Sequence, residues 1–310
     1  MKASILVHNL NRANDLRRCL ASLVTQSYRP LEVVLLDAGS TDGSIELVAA
    51  FKETFWAYGI EFRFVPCSRM GVAASRNLAA RHATGGLIAF LDNDACFEAP
   101  NAIEKVVRKF SRDVKLAVVA FRVLEREKPT LDQFAWVYRR SVGRWATTPF
   151  QTFIFAGAGF CMRADVFGSL GGFWSHLQYS REEEELGMGT IDAGWNIQYC
   201  PDIVVRHYLN PIGRSNVAQR RWTELRNGIL VSWRRLPIPI ALAAITTRIL
   251  TMSLKVLLRN EGSPFRLLSA VTCAMFEWRA AHLQRTPISC ASVIRYAGLH
   301  FSSAYDRSAV

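Results

Sequence analysis

Acidic residues become scarce in the last third of the chain. Residues 206–310 carry 4 Asp+Glu against 15 Lys+Arg, whereas residues 1–205 carry 22 against 23. The net charge of +12 therefore sits almost wholly in residues 206–310. A near-neutral globular part followed by a basic region points to phosphate-bearing partners. Cysteine is sparse too: seven residues at 19, 67, 96, 161, 200, 273 and 290, an odd count with no Cys-x-x-Cys pair. That excludes a disulfide frame or a zinc knuckle and fits reduced thiols in a cytosolic setting. There is no Gly-x-Gly-x-x-Gly and no Gly-x-x-x-x-Gly-Lys, which removes the dinucleotide and P-loop cradles. Long apolar runs are missing. Leu236–Thr247 is uncharged but meets Arg248 after twelve residues, short of the roughly 20 that a bilayer span needs. The apolar start, Ala3–Val7, is too short for a secretory signal and reads as a first strand. No internal repeat or low-complexity tract is found.

What is there is a regular alternation. Half of the 310 residues are apolar, enough for one large α/β domain with or without an appendage. Strands are expected at Ala3–Val7, Leu31–Leu36, Phe62–Val65, Leu87–Asp92 and Leu116–Leu124. Helices are expected at Asn14–Gln26, Ser44–Phe55, Gly71–His82 and Pro100–Phe110. Alternation of this kind predicts a mostly parallel, mixed sheet flanked by helices, with ligands at the carboxyl ends of the strands. His8-Asn9, Asp37 and Asp92-Asn93-Asp94 all fall at such ends. Alternate residues of an extended chain share a side, so Asp92 and Asp94 can face one cleft. Two carboxylates suit Mg²⁺ or Mn²⁺ held against a diphosphate. The plainer reading is a solvated turn. Residues 125–152 are charged, then aromatic, and read as an ordered flap or acceptor wall.

The order of these segments resembles the family 2 glycosyltransferases. Leu35-Leu36-Asp37-Ala38-Gly39-Ser40-Thr41-Asp42-Gly43-Ser44 looks like that family's Asp-x-Gly-Ser-Thr-Asp-Gly loop, and Gly71–Asn77 resembles its Gly-x-x-x-x-Arg-Asn helix start. Phe90–Asp94 matches the Asp-x-Asp strand end; Gly171-Gly172-Phe173, Glu182-Glu183 and His207 match later blocks. The resemblance covers residues 2–207 and implies the GT-A nucleotide-sugar-binding fold and an inverting, metal-dependent transfer. It implies donor binding by Asp37, Arg76 and Asp92, with His8, Asn9 and Asn93 beside them. It implies metal ligation by Asp94, Asp92 and His207, and a general base at Glu183 with Glu182 as its partner acid. Here the base position holds Glu where the family has Asp. Trp136, Trp145, Gly172 and Trp195 are the candidate acceptor-side residues. Plainer readings exist for each. Glu182–Glu185 is also an acidic first helical turn favoured by the helix dipole, and the tryptophans are also core or wall.

The expected division is 1–210, a GT-A catalytic domain, and 211–310, a basic helical region. Arg248, Lys255 and Arg259, spaced 7 and 4 apart among aliphatic residues, suggest a basic amphipathic helix, and Ser263-Pro264 the start of another. Such a pair reads as a surface anchor on an anionic membrane, placing the protein peripherally on the cytoplasmic face. The expected partners are a nucleoside-diphosphate sugar donor and a glycan or lipid-linked acceptor, as in surface polysaccharide synthesis. Two other readings compete. A sugar-phosphate nucleotidyltransferase would carry a Gly-rich basic loop after the first strand, which His8–Arg12 does not offer. The other is a non-catalytic basic protein that binds nucleic acid or membrane; for nucleic acid its basic residues would sit among aromatic strips, and here they sit among aliphatic runs.

Overall fold

The computed structural model describes residues 1–126, 128–208, 217–259 and 263–301. The first half follows the alternation: β1 (Ala3–Asn9), α1 (Ala13–Val24), β2 (Leu31–Asp37), α2 (Ser44–Ala57), β3 (Ile60–Pro66), α3 (Val72–His82) and β4 (Leu87–Asp92). Then come β5 (Ala95–Phe97), α4 (Ala102–Arg112), β6 (Leu116–Glu125), the short α5 (Val142–Trp145), β7 (Phe150–Thr152), β8 (Gly159–Arg163), α6 (Ala164–Ser169), α7 (Glu182–Asp192) and β9 (Asn196–His207). Among the described residues five helices follow: α8 (Val217–Arg235), α9 (Ile238–Arg259), α10 (Pro264–Phe276), α11 (Trp278–Leu283) and α12 (Cys290–Phe301).

One mixed sheet runs β3-β2-β1-β4-β8-β6-β9-β5, with β7 also on β9. The pairs β1–β2, β1–β4, β2–β3 and β6–β9 are parallel, and β8, β5 and β7 run against their neighbours. The inner strands are apolar on both faces because both are covered. Ile5 and Val7 face a core shared with α1, α2 and α4; Leu6, Val34 and Phe90 face one shared with α3, α6 and α7.

Three further features stand out. Asn196–Cys200 and Ile203–Arg206 are one strand, β9, whose register on β6 jumps between Phe121 and Arg122. The apolar stretch 153–163 is strand only from Gly159. The helix that begins in the uncharged run does not stop at Arg248: α9 continues to Arg259, since arginine is a good helix former. Its residues Ile238–Leu258 are long and apolar enough to cross a membrane by length and composition alone. Pro264 opens α10 as expected. The 210/211 boundary lies outside the described residues.

Candidate active site

The site is assembled by strand register. β1 pairs with β2 so that Asn9 lies opposite Asp37, and with β4 so that His8 lies opposite Asp92. His8, Asn9, Asp37 and Asp92 therefore share one sheet edge. Asp37 is buried and its carboxylate is occupied: it accepts from Asn9 Nδ2 (2.9 Å), Ser40 Oγ (2.7 Å), Ser40 N (2.8 Å) and Gly39 N (3.0 Å). It thereby shapes the β2–α2 loop. Asn93 Nδ2 donates to Asn9 Oδ1 (2.7 Å), which joins the β4 end to this network. Burial, with the charges of Arg76 and Arg12, brings the His8 ring down to about 4, so it is neutral.

Asp92 ends β4, and Asp94 sits in the tight turn before β5. The turn, rather than strand alternation, brings the two carboxylates together. β5 then pairs antiparallel with the far end of β9, placing Ala95 opposite His207, and Tyr208 N donates to Asp94 O (2.7 Å). Asp92, Asp94 and His207 each offer a ligand atom within 4.8 Å of the others.

Behind the imidazole stands Asp132, fully buried, its Oδ2 2.6 Å from His207 Nδ1. Such a carboxylate fixes the ring so that Nε2 faces the cation position. His207 Nε2 lies 3.2 Å from Asp94 Oδ1, and Arg12 Nη1 donates to Asp94 Oδ2 at 2.6 Å. Burial opposes a charged ring, but the bonds to Asp132 and Asp94 outweigh it and raise His207 to about 10. The hard oxygen donors and one oriented imidazole fit Mn²⁺ or Mg²⁺. Arg12 and the imidazolium here balance the charge that such an ion would balance.

Arg76 joins this cluster to the candidate base. Its Nη2 donates to Asp92 Oδ1 (3.1 Å) and to Gly157 O (2.9 Å); its Nη1 donates to Glu183 Oε1 (2.8 Å) and lies 3.6 Å from Glu182. Burial opposes its charge, yet Asp92, Glu183 and Glu182 hold it fully protonated. A Cβ at Gly157 would lie 2.1 Å from Glu183 Oε1, so only glycine leaves room for that carboxylate.

The four glutamates at the start of α7 divide into two pairs. Glu182 and Glu183 face Arg76. Burial first, then the charge of Glu183, pushes Glu182 up to about 8, and its Oε2 has no hydrogen-bond partner among the described residues. Glu184 and Glu185 turn the other way. Glu184 pairs with Arg181 and with Arg248 (2.9 Å), which overcome burial and bring it down to about 2. Glu185 takes Arg234 (2.9 Å) and Arg235 (2.6 Å). Arg248, expected on an outer basic face, points inward instead because Glu184 offers a buried counter-charge.

The turn that leads into α7 is strained. Gln178 has φ 59° and ψ −54° with Tyr179 N bonded to Leu177 O (2.6 Å), a γ-turn of the rare positive-φ kind. Ser180 and Arg181 are also at positive φ (72° and 69°). Asn227 of α8, itself fully buried, spreads its amide over the carbonyls of Tyr179 (2.7 Å), Ser180 (2.8 Å) and Leu177 (3.2 Å).

The acceptor-side candidates do not converge. Trp136 and Trp145 pack edge-on in a cluster with Tyr138, Phe150 and Tyr199 at the β7–β9 edge. Gly172 makes a positive-φ turn beside Asn77, whose side chain bonds Phe173 at both N and O. Trp195 precedes Asn196, at the opposite end of β9 from His207. The paired β6, ten residues long, sets that separation at roughly 30 Å, so Trp195 lies far from His207. Arg12 and Asp132 were not among the residues that the sequence pointed to.

The model for "Glycosyl transferase family 2" matches residues 4–171. The uncharacterized glycosyltransferase YibD of Escherichia coli K12 is 32% identical over 93 residues, 30% of this chain and 26% of that protein. The O-antigen chain rhamnosyltransferase RfbN of Salmonella typhimurium LT2 is 24% identical over 218 residues, 68% of this chain and 67% of that one. The chain thus spans about a quarter of YibD and two thirds of RfbN. Among solved structures, the mannosyltransferase PcManGT from Pyrobaculum calidifontis, in complex with GDP-Man and Mn²⁺, has TM-score 0.60 at 21% identity, covering 98% of this chain and 87% of its own. GalNAc-T7 with UDP, GalNAc and Mn²⁺ has TM-score 0.58 at 18% identity, covering 76% and 48%. These likenesses establish the GT-A fold.

Proposed function

Because this chain belongs to glycosyl transferase family 2, we propose that it moves a sugar from a nucleoside diphosphate to a hydroxyl of a glycan or lipid-linked acceptor, with inversion. The observation that carries this reading is the bridge through Arg76. One guanidinium touches Asp92 of the Asp92–Asp94–His207 cluster and Glu183 of α7. Donor diphosphate and acceptor hydroxyl are thereby held a side chain apart.

In a single displacement the acceptor oxygen attacks the anomeric carbon as its bond to the diphosphate breaks. Asp94, Asp92 and His207 would hold a divalent cation, which would supply Lewis-acid stabilisation to the leaving diphosphate. Asp132 keeps the imidazole aimed. Glu183 accepts the acceptor proton, worth about 10²–10⁴-fold, and Arg76 orients it. Glu182, at about 8, is protonated at neutral pH and is a poor base there. The bound nucleotides and Mn²⁺ of the structural neighbours are consistent with this assignment.

Nucleotide release across UDP-, GDP- and dTDP-sugars with Mn²⁺ tests the reading. Asp94→Ala is expected to abolish metal-dependent donor binding. Glu183→Gln is expected to keep donor binding within about twofold and lose transfer by about 10²-fold or more. Glu182→Gln, which mimics the neutral acid, is expected to keep most activity. A dead Glu182→Gln with an active Glu183→Gln reverses the two roles.

We further propose that the protein works peripherally on an anionic membrane at its cytoplasmic face. Supporting this, α9 exposes Leu250, Leu254, Leu257 and Leu258, and α10 exposes Phe265, Leu268, Met275 and Phe276, in a region with 15 Lys+Arg against 4 Asp+Glu. Exposed apolar side chains on two helices of a basic region suit an interfacial site.

A further inference from the structure

Three residues outside the catalytic cluster meet beside the cleft. Tyr179 stands just before Glu182 in the chain and is 52% exposed. Burial of its hydroxyl, then the charge of Glu182, raises its pKa; Arg220 opposes them, and Glu183 and Asp92 add to them. The hydroxyl end thus lies in the field of the cleft carboxylates while much of the ring meets solvent. Its carbonyl is held by Asn227 at 2.7 Å, inside the turn whose residues 178, 180 and 181 take positive φ, so the backbone that presents the ring is pinned. Phe134 approaches from the metal side. Its N donates to Asp132 Oδ1 (2.8 Å), the carboxylate behind His207, and its side chain is 60% exposed. Arg220, in the first turn of α8, joins the two: its guanidinium lies 4.8 Å over the Phe134 ring and acts on the Tyr179 hydroxyl.

We propose that Tyr179, with Arg220 and Phe134, is the platform that receives the acceptor sugar, a pyranose stacked on the Tyr179 ring with Arg220 donating to its hydroxyls. The inference rests on the transferase reading. A pyranose has an apolar face of C–H groups, which suits an aromatic ring with one polar end, and a guanidinium is a fixed fork of donors for its oxygens. Location selects this pair. Among the described residues the exposed aromatics are Trp56, Tyr58, Phe134, Tyr179, Phe265 and Phe276. Trp56 and Tyr58 lie where α2 runs into β3, at the edge away from the strand carboxyl ends. Phe265 and Phe276 stand at the two ends of α10, in the surface assigned to lipid. Phe134 and Tyr179 flank the cleft, one behind the metal ligands and one before the base, so a sugar between them turns a hydroxyl toward Glu183. The cavity of about 420 Å³ beside Glu277 offers no such ring, because its Trp174 is already stacked by His176 at 5.2 Å and by Arg234 at 4.9 Å.

Octyl glycosides of glucose, galactose, mannose, rhamnose and N-acetylglucosamine serve as acceptor probes on the full chain, by saturation-transfer NMR and by transfer kinetics. Calorimetry follows UDP and GDP with Mn²⁺. At least one glycoside is expected to bind and to accept sugar. Tyr179→Ala is expected to raise its KM about tenfold, with nucleotide affinity held within about twofold. Tyr179→Phe, which keeps the ring, should stay within about threefold of wild type, and Arg220→Gln should raise KM about fivefold. An unchanged KM in Tyr179→Ala overturns the proposal, as does a loss of nucleotide affinity that matches the loss of glycoside. Equal damage from Tyr179→Phe and Tyr179→Ala also overturns it, since the hydroxyl and not the stacked ring would then be at work. A wild-type protein that binds nucleotide but none of the glycosides overturns it and leaves the transferase reading standing. Glycoside binding that Tyr179→Ala removes, in a protein that binds no nucleotide, sinks the transferase reading and leaves the platform standing.

Discussion

His207 shows how one residue couples chemistry to pH. Its imidazole is charged in the metal-free protein because Asp132 and Asp94 outweigh burial and raise it to about 10. A metal ligand must be neutral, so binding expels that proton. Mn²⁺ affinity is therefore expected to rise about tenfold per pH unit from about 7 toward 9, with one proton released per ion. His207→Gln should flatten the slope. The stability sign is fixed by the same shift. A histidine raised from 6.5 to about 10 adds stability that is complete below 6.5 and lost as pH climbs through 10. Saturating Mn²⁺ should erase that dependence. Calorimetric titrations at several pH values check both, and a flat wild-type affinity would remove His207 from the ligand set.

Helix geometry explains why Glu182 and Glu183 face Arg76 while Glu184 and Glu185 pair with arginines on another side. At the start of a helix, consecutive side chains fan out by about 100°, so four neighbours cannot share one environment. The sequence made the run and its possible base legible, and the order of strand ends made the carboxylate cluster legible. It did not reveal which glutamates faced which side, because Arg234, Arg235 and Arg248 lie 49 to 64 residues away. Asp132 escaped for the same reason, 75 residues from His207 in a stretch without period. The distance of Trp195 from His207 was not legible either, because residue type says nothing about which end of a 12-residue strand a side chain stands at.

The strained turn yields an element-level prediction. Asn227→Asp removes the amide donors from three carbonyls and sets a carboxylate against them. Transfer should fall roughly tenfold or more in kcat, a loss of about 1.4 kcal/mol, with donor binding nearly unchanged. Faster amide exchange across 178–183 should accompany it. A variant with loosened exchange but full kcat would make the turn a structural feature only.

At the scale of the whole molecule, we propose that residues 217–301 are a working part of the transferase as well as its anchor. Glu184 and Glu185 are buried and depend on arginines of α8 and α9. Removing one partner of such a pair costs about 3–5 kcal/mol, so the helical layer and the catalytic helix should stand or fall together. This also decides how α9 meets a membrane. Its apolar composition is enough for a span, but a span would tear Arg248 from Glu184 and strand the guanidinium. Lying flat keeps that pair and leaves Leu254 and Leu257, both exposed, for the bilayer. Each buried leucine contributes about 1.5–3 kcal/mol and each surface cation about 1 kcal/mol. Leu254→Glu/Leu257→Glu should therefore lower binding to phosphatidylglycerol vesicles by tenfold or more at any salt concentration. Lys255→Gln/Arg266→Gln should lower it less and mainly reduce its salt sensitivity. If the leucine pair proves silent in cosedimentation while the cation pair abolishes binding, the contact is electrostatic alone and the apolar face of α9 meets something other than lipid.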